Sequence, residues 1–219
     1  MKRNFSFTFI LLSIVSFGQK RDTTNIFEEF NDFLLQEVVF GLVDYESLRQ
    51  NPDKFSNLIN RIAQHNLTGV EENHRIAFYI NSYNVLVIKQ IADNYPIERP
   101  LDVEGFFKKN SFIVAGERVT LDEIEFNKLF AATKDPRIHF ALGCGARSCP
   151  FLYDNAFYPD KLQEQLESRA ESIINRPNYV YVDEVEKKVV LNKIFDWYTD
   201  QFLSIEHSLI KYVNIYRSN

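Results

Sequence analysis

From Asn25 onward, apolar residues return with helical spacing. Ile26, Phe27, Phe30, Phe33, Leu34 and Val38 follow a period near 3.6. Asn25 is suited to cap that helix, with Glu28 returning the capping contact, and Gly41 is read as its end. Pro52-Asp53 opens a second helix carrying Phe55, Leu58, Ile59 and Ile62. A third, longer helix is predicted from about Glu71 to Asn94, because Ile76, Ile80, Tyr83, Val87, Ile88 and Ile91 form one continuous face. Its middle carries Asn81 and Asn84. Asparagine competes for backbone hydrogen bonds and is a poor interior helix residue. The two amides therefore form either a solvated stripe or a buried pair bonded to a neighbouring loop or ligand.

Beyond Pro96 and Pro100 the pattern changes. Phe112 to Thr120 reads as two short strands around a turn at Gly116, and Thr120-Leu-Asp-Glu123 as a capping box opening a helix through Ile124, Lys128 and Phe130. Tyr158-Pro159 is read as the start of another helix, with Leu162, Leu166, Ile173 and Ile174 along it. Asn178 to Val182 and Val189 to Leu191 make a second hairpin. Two closing helices lie around Ile194–Tyr198 and Leu209–Val213. Helices dominate and strands come as hairpins. The predicted class is α+β, a helix-rich single domain with a small, mainly antiparallel sheet.

The segment Asp135–Pro150 holds both cysteines of the chain together with His139, Arg137 and Arg147. Ile138, Phe140 and Leu142 alternate with His139, Ala141 and Gly143, the pattern of a buried strand. Gly143, Gly145, Ala146 and Ser148 then permit close backbone approach before Pro150 stiffens the exit. A polar constellation at the end of such an element is a common place for a site.

The chain opens Met1-Lys2-Arg3, followed by an apolar run through Val15 and small residues at Ser16 and Gly18. This pattern predicts a signal peptide over 1–18, cut before Gln19, and an exported protein, periplasmic or secreted. The run is shorter than the ~20 residues of a membrane span, so no stable membrane insertion is expected after cleavage. Losing Lys2 and Arg3 takes the formal net charge from −5 to −7. Such a surface disfavours nucleic acid as a partner. The 20 Phe and 11 Tyr imply an aromatic core.

Four motifs now combine: Phe78-Tyr79-Ile80-Asn81-Ser82-Tyr83-Asn84, Asp135-Pro136-Arg137-Ile138-His139-Phe140-Ala141-Leu142, Ser148-Cys149-Pro150, and Ile194-Phe195-x-Trp197-Tyr198. In this order they resemble the DUF547 domain family. The likeness runs over roughly 43–202, between an N-terminal helix over 19–42 and a C-terminal helix over 203–219. The resemblance implies no established activity. Family members often read Ile-Glu-His where this chain has Ile124-Glu125-Phe126. A role that such a histidine played elsewhere is closed to Phe126.

Two functional classes follow for the polar segment. The first is a binding or structural domain with a polar pocket around His139, Asn81 and Asn84 on its opposite wall, and Arg137 and Arg147 as further binding groups. Its ligand is an unidentified small molecule or peptide. The second is a thiol- or histidine-dependent hydrolase or transferase, with Cys149 as nucleophile and His139 as base. In an oxidising compartment Cys144 and Cys149 are also suited to a disulfide, their spacing allowing the usual Cα separation of ~4.4–6.8 Å. Cys144, Cys149 and His139 lack a second Cys/His pair at zinc spacing, so no metal is expected, and no cofactor. Gly145-Ala-Arg-Ser148 lacks the Gly-x-Ser-x-Gly elbow of a serine hydrolase.

Overall fold

The computed structural model describes residues 25–218, so the expected signal peptide lies outside the described residues. Helix α1 (Ile26–Glu37) is capped by Asn25, whose side chain accepts from the Phe27 amide. Glu28 does not complete the expected box in the way foreseen: its carboxylate accepts from the Tyr158 hydroxyl at 3.2 Å. Gly41 does not end α1 either. The helix stops at Glu37, and Phe40-Gly41 form the two-residue turn of a hairpin between β1 (Val38–Val39) and β2 (Leu42–Val43). Both turn residues have positive φ, +51° and +78°, the geometry that matches strand twist in so tight a loop. A short α2 (Tyr45–Gln50) leads to α3 (Asp53–Gln64).

Helix α4 (Glu72–Asn94) is the axis of the molecule. From Ile76 to Ile88 every residue is buried, polar ones included, so this is a helix covered on all sides rather than an amphipathic one. Helices α1 and α3, the hairpin β3 (Ser111–Val114) with β4 (Glu117–Thr120), and the helical segment after it build the larger core around α4. The β3–β4 turn docks on the end of α3, the Ala115 and Gly116 amides donating to the Ile62 and Ala63 carbonyls. The capping box at Thr120 forms as expected, with both reciprocal hydrogen bonds to Glu123. What it opens is a π-helix (Glu123–Phe130), continued by one turn, α5 (Ala131–Thr133).

Residues 138–142 are not a strand. Ile138–Ala141 is one helical turn, α6, with all four side chains buried. Asp135 and Pro136 are the reason: the Asp135 carboxylate accepts from the Arg137 amide, and the Ile138 and His139 amides bond back to the Asp135 and Pro136 carbonyls. The alternation of bulk is real, but burial on all sides removes its meaning.

Helix α7 (Leu162–Ile174) starts three residues later than Pro159 suggests, after a turn. Its inner face packs with β5 (Val180–Asp183), β6 (Lys188–Leu191) and the closing helices α8 (Lys193–Trp197), α9 (Thr199–Leu203) and α10 (Leu209–Tyr216) into a second cluster. Phe140 belongs to this second cluster and Ile138 to the first, so α6 is the seam between them. The class is α+β and helix-rich; its strands form three separate antiparallel pairs.

Candidate functional site

A cleft of about 890 Å³ opens where α4, the π-helix, the junction of α8 and α9 and the loop after α6 meet. Glu125, Tyr83 and Tyr198 line it, as do Phe126 and Trp197, and Cys144 to Arg147 edge it. The π-helix matters locally. Closing its last bond from Ala131 back to Phe126 inserts an extra residue per turn, and Ile124, Glu125 and Leu129 are all buried. A carboxylate thereby sits among core residues at the inner end of a cleft.

Glu125 is held from three elements. The Tyr83 hydroxyl donates to Oε2 at 3.3 Å, a long bond, and the Tyr198 phenol stands near enough to feel the carboxylate's charge. His139 Nδ1 lies 3.2 Å from Oε1. That nitrogen makes no aligned hydrogen bond, so the contact is proximity rather than a directed bond. Burial, and then the Glu125 charge, push the Tyr83 phenol well above its usual range. The same two causes raise Tyr198, so both rings stay protonated donors. Burial also raises Asp122, beside the same cleft.

His139 is 2% exposed and stands behind this wall. Its ring stacks on Tyr198, centroids 3.6 Å apart and planes 13° from parallel, and Nε2 hydrogen-bonds the Gln201 side-chain amide. Either end of that amide satisfies Nε2, because a flip exchanges acceptor for donor. The imidazole thus positions Tyr198 and Glu125 from behind.

The asparagines take another role. Asn81 gives both ends of its amide to one residue, donating to the Phe157 carbonyl at 2.8 Å and accepting from its amide at 2.9 Å. Asn84 donates to the Ala141 carbonyl and accepts from the Gly143 amide, at 3.0 and 2.9 Å. These buried pairs latch two loops to α4, and of the two residues between them Tyr83 is the one that reaches the cleft. Arg137 is committed elsewhere, to Asp135 and to Glu167 at 2.8 Å. Arg147 is exposed at the cleft edge.

Cys144 and Cys149 form a disulfide with Cα atoms 5.8 Å apart. The thiol nucleophile foreseen at Cys149 is therefore corrected: no cysteine is free among the described residues. The small residues of the loop do what close approach requires. A Cβ on Gly143 would meet Leu152 at 2.5 Å, and one on Gly145, whose φ is +74°, would meet Ile91 at 2.7 Å.

Sequence reasoning missed Glu125, Tyr83, Tyr198 and Gln201 as site residues. The first three stand inside or beside the quoted motifs, and Phe126 marked the position next to Glu125. No signal singled out Gln201.

Among the described residues no group of three or more His, Cys, Asp or Glu is placed to hold a metal ion. No helix there is long and apolar enough to cross a membrane. Residues 67–174 match a family model described as "Protein of unknown function, DUF547". No curated protein and no solved structure matches the chain.

Proposed function

We propose, on the premise that the chain carries a DUF547 domain, that this domain binds a small molecule through an ammonium group received at the inner end of the Glu125 cleft. One observation carries the reading: a buried carboxylate that accepts from the neutral Tyr83 phenol, in a cleft whose lining includes four aromatic rings. Tyr83, Phe126, Trp197 and Tyr198 supply faces or edges around it. Such rings attract a cation electrostatically, worth roughly 0.5–2 kcal/mol each when desolvated. A carboxylate at their centre adds a charge-assisted hydrogen bond. A cleft of about 890 Å³ has room for an apolar body behind the ammonium, or for a peptide end.

His139 acts here as a positioning residue, holding Tyr198 by stacking. The thiol hydrolase reading loses its nucleophile to the disulfide. Export remains part of the proposal, supported by the basic start, the apolar run and a disulfide suited to an oxidising compartment. Detection of the uncleaved protein in the cytoplasm of its native cells would count against it.

Trp197 is the single tryptophan of the chain and lines the cleft, so its fluorescence reports occupancy. Titration with benzylamine should give a saturable change that benzyl alcohol does not, and Glu125→Gln should abolish it while leaving far-UV circular dichroism unchanged. Equal responses to amine and alcohol, or an unaltered response in the variant, would overturn the reading.

A further inference from the structure

A second cleft, of about 390 Å³, lies along the outer side of α7, and Arg169, Arg176, Ser168, Ser172, Phe151 and Asp154 line it. Positions 169, 172 and 176 are three and four apart, so they follow one face of α7 into the turn beyond it. Arg169 is 3% exposed, and its guanidinium is fixed by the protein backbone. Nε donates to the Phe140 carbonyl at 3.2 Å and Nη2 to the Phe151 carbonyl. The plane lies 4.2 Å from the Phe151 ring centre, and Arg176 lies 3.9 Å from the same centre.

Two cations thus share one aromatic ring, and neither forms an ion pair with a carboxylate among the described residues. A guanidinium taken out of water without a counter-charge is costly, and carbonyl oxygens offset only part of that. Burial lowers the Arg169 pKa to about 10, with the Arg176 charge acting in the same direction. The third nitrogen, Nη1, has no hydrogen bond to the protein and is not among the sealed, unpartnered atoms. It is therefore the nitrogen of this guanidinium left open to a partner, on a residue that lines the cleft. Asp154 is the one carboxylate on the lining, and it leaves the two arginines in excess.

We propose that this second cleft is an oxyanion site, taking a phosphate or sulfate group between Arg169 Nη1, the Arg176 guanidinium and the Ser168 and Ser172 hydroxyls. Donors arriving from several directions suit a tetrahedral anion better than a planar carboxylate. The cleft exceeds the volume of the anion alone, and the exposed Phe40 and the Tyr153 ring offer apolar surface at its edge. An ester of phosphate with an apolar body is the form that fills it. This site is independent of the ammonium reading and shares no lining residue with the first cleft.

Isothermal titration of the full mature protein with phenyl phosphate, inorganic phosphate and benzoate tests the assignment. Phenyl phosphate should bind most tightly, and Arg176→Gln should weaken it at least tenfold. Ser172→Ala should weaken it severalfold. Both positions are exposed, and unchanged melting without ligand will confirm that each variant folds. Binding of inorganic phosphate as tight as the ester would assign the free anion as ligand of the same site. Tighter binding of benzoate, no heat with any probe at ~10 mM, or affinity indifferent to Arg176→Gln would each overturn the proposal.

Discussion

His65 and His74 face each other with their Nε2 atoms 3.1 Å apart. Their rings are 4° from parallel and their centroids 5.4 Å apart, a distance that equals the nitrogen separation plus the two ring radii. The rings are therefore end to end in one plane, not face to face, and a single proton lies on the line between them. No metal fits on that line, because each Nε2–metal bond needs about 2.0 Å. The pair joins the end of α3 to the first turn of α4, with Phe78 under His65 and Phe27 against His74.

Protonating both rings destroys this bond. Burial lowers the His65 pKa from 6.5 to about 4, the His74 and Arg61 charges acting in the same direction, and burial lowers His74 as well. A folded value below the unfolded one means stability is fully present above about pH 6.5 and is lost as the pH falls toward 4. The His65 shift caps the loss at roughly 3 kcal/mol, and partial exposure cuts that to about 1 kcal/mol. Urea midpoints between pH 7.5 and 4.5 should fall more steeply for the parent than for His65→Gln. Parallel curves would remove the pair as the cause.

Asn84 should be the more expensive of two asparagines on α4. Asn84→Leu strands the Ala141 carbonyl and the Gly143 amide in the core, at about 1–3 kcal/mol for each. Asn94→Ala removes only one bond, to the Gln90 carbonyl, from an exposed residue. Denaturant unfolding should therefore show a loss of roughly 2–6 kcal/mol for the first and about 1 kcal/mol or less for the second. Comparable losses would mean that the loop after α6 finds other partners.

The helical skeleton was legible because α1, α3 and α4 carry long periodic runs, and both longer hairpins because their turns are short. Ile138–Ala141 was misread for a specific reason. A four-residue turn buried on all sides has no exposed face, so periodicity cannot tell it from a strand, and only the Asp135-Pro136 start gives it away. The site was half legible. His139 was singled out for being a lone imidazole among small neighbours, but its partners come from positions 125, 198 and 201. Contacts so distant in sequence leave no local pattern. Asn81 and Asn84 do bond loops, as poor helix formers in a long helix suggest, yet of the two residues between them Tyr83 is the one at the cleft.

The disulfide should matter more to the cleft edge than to folding. It closes a short loop, and chain entropy then gives about 2 kcal/mol. The backbone has further anchors: the Cys149 amide bonds the Ala146 carbonyl, and the Tyr179 hydroxyl donates to the Cys149 carbonyl at 2.8 Å. Replacing both cysteines by serine should lower stability by roughly 2 kcal/mol and leave the far-UV spectrum intact. Hydrogen exchange at 144–149 should rise well above that of α4. Loss of folding would show that the bond, rather than the two anchors and Asn84, organises this loop.

Phe126 offers the sharpest probe of the cleft. It stands next to Glu125, is 36% exposed, and lies 6.3 Å from the Tyr198 ring. The family resemblance often puts histidine at this position. Because the side chain already meets solvent, Phe126→His should cost at most about 1 kcal/mol. Below about pH 6.5 the new imidazole becomes a cation on the cleft wall. It then repels an ammonium ligand and competes for the Glu125 carboxylate. Benzylamine affinity, read from Trp197 fluorescence, should fall several-fold between pH 8 and 5.5 in the variant, beyond any change in the parent. Identical pH profiles for parent and variant would mean that position 126 does not face the bound ligand. The aromatic ring there would then have to be left out of the account of ammonium binding.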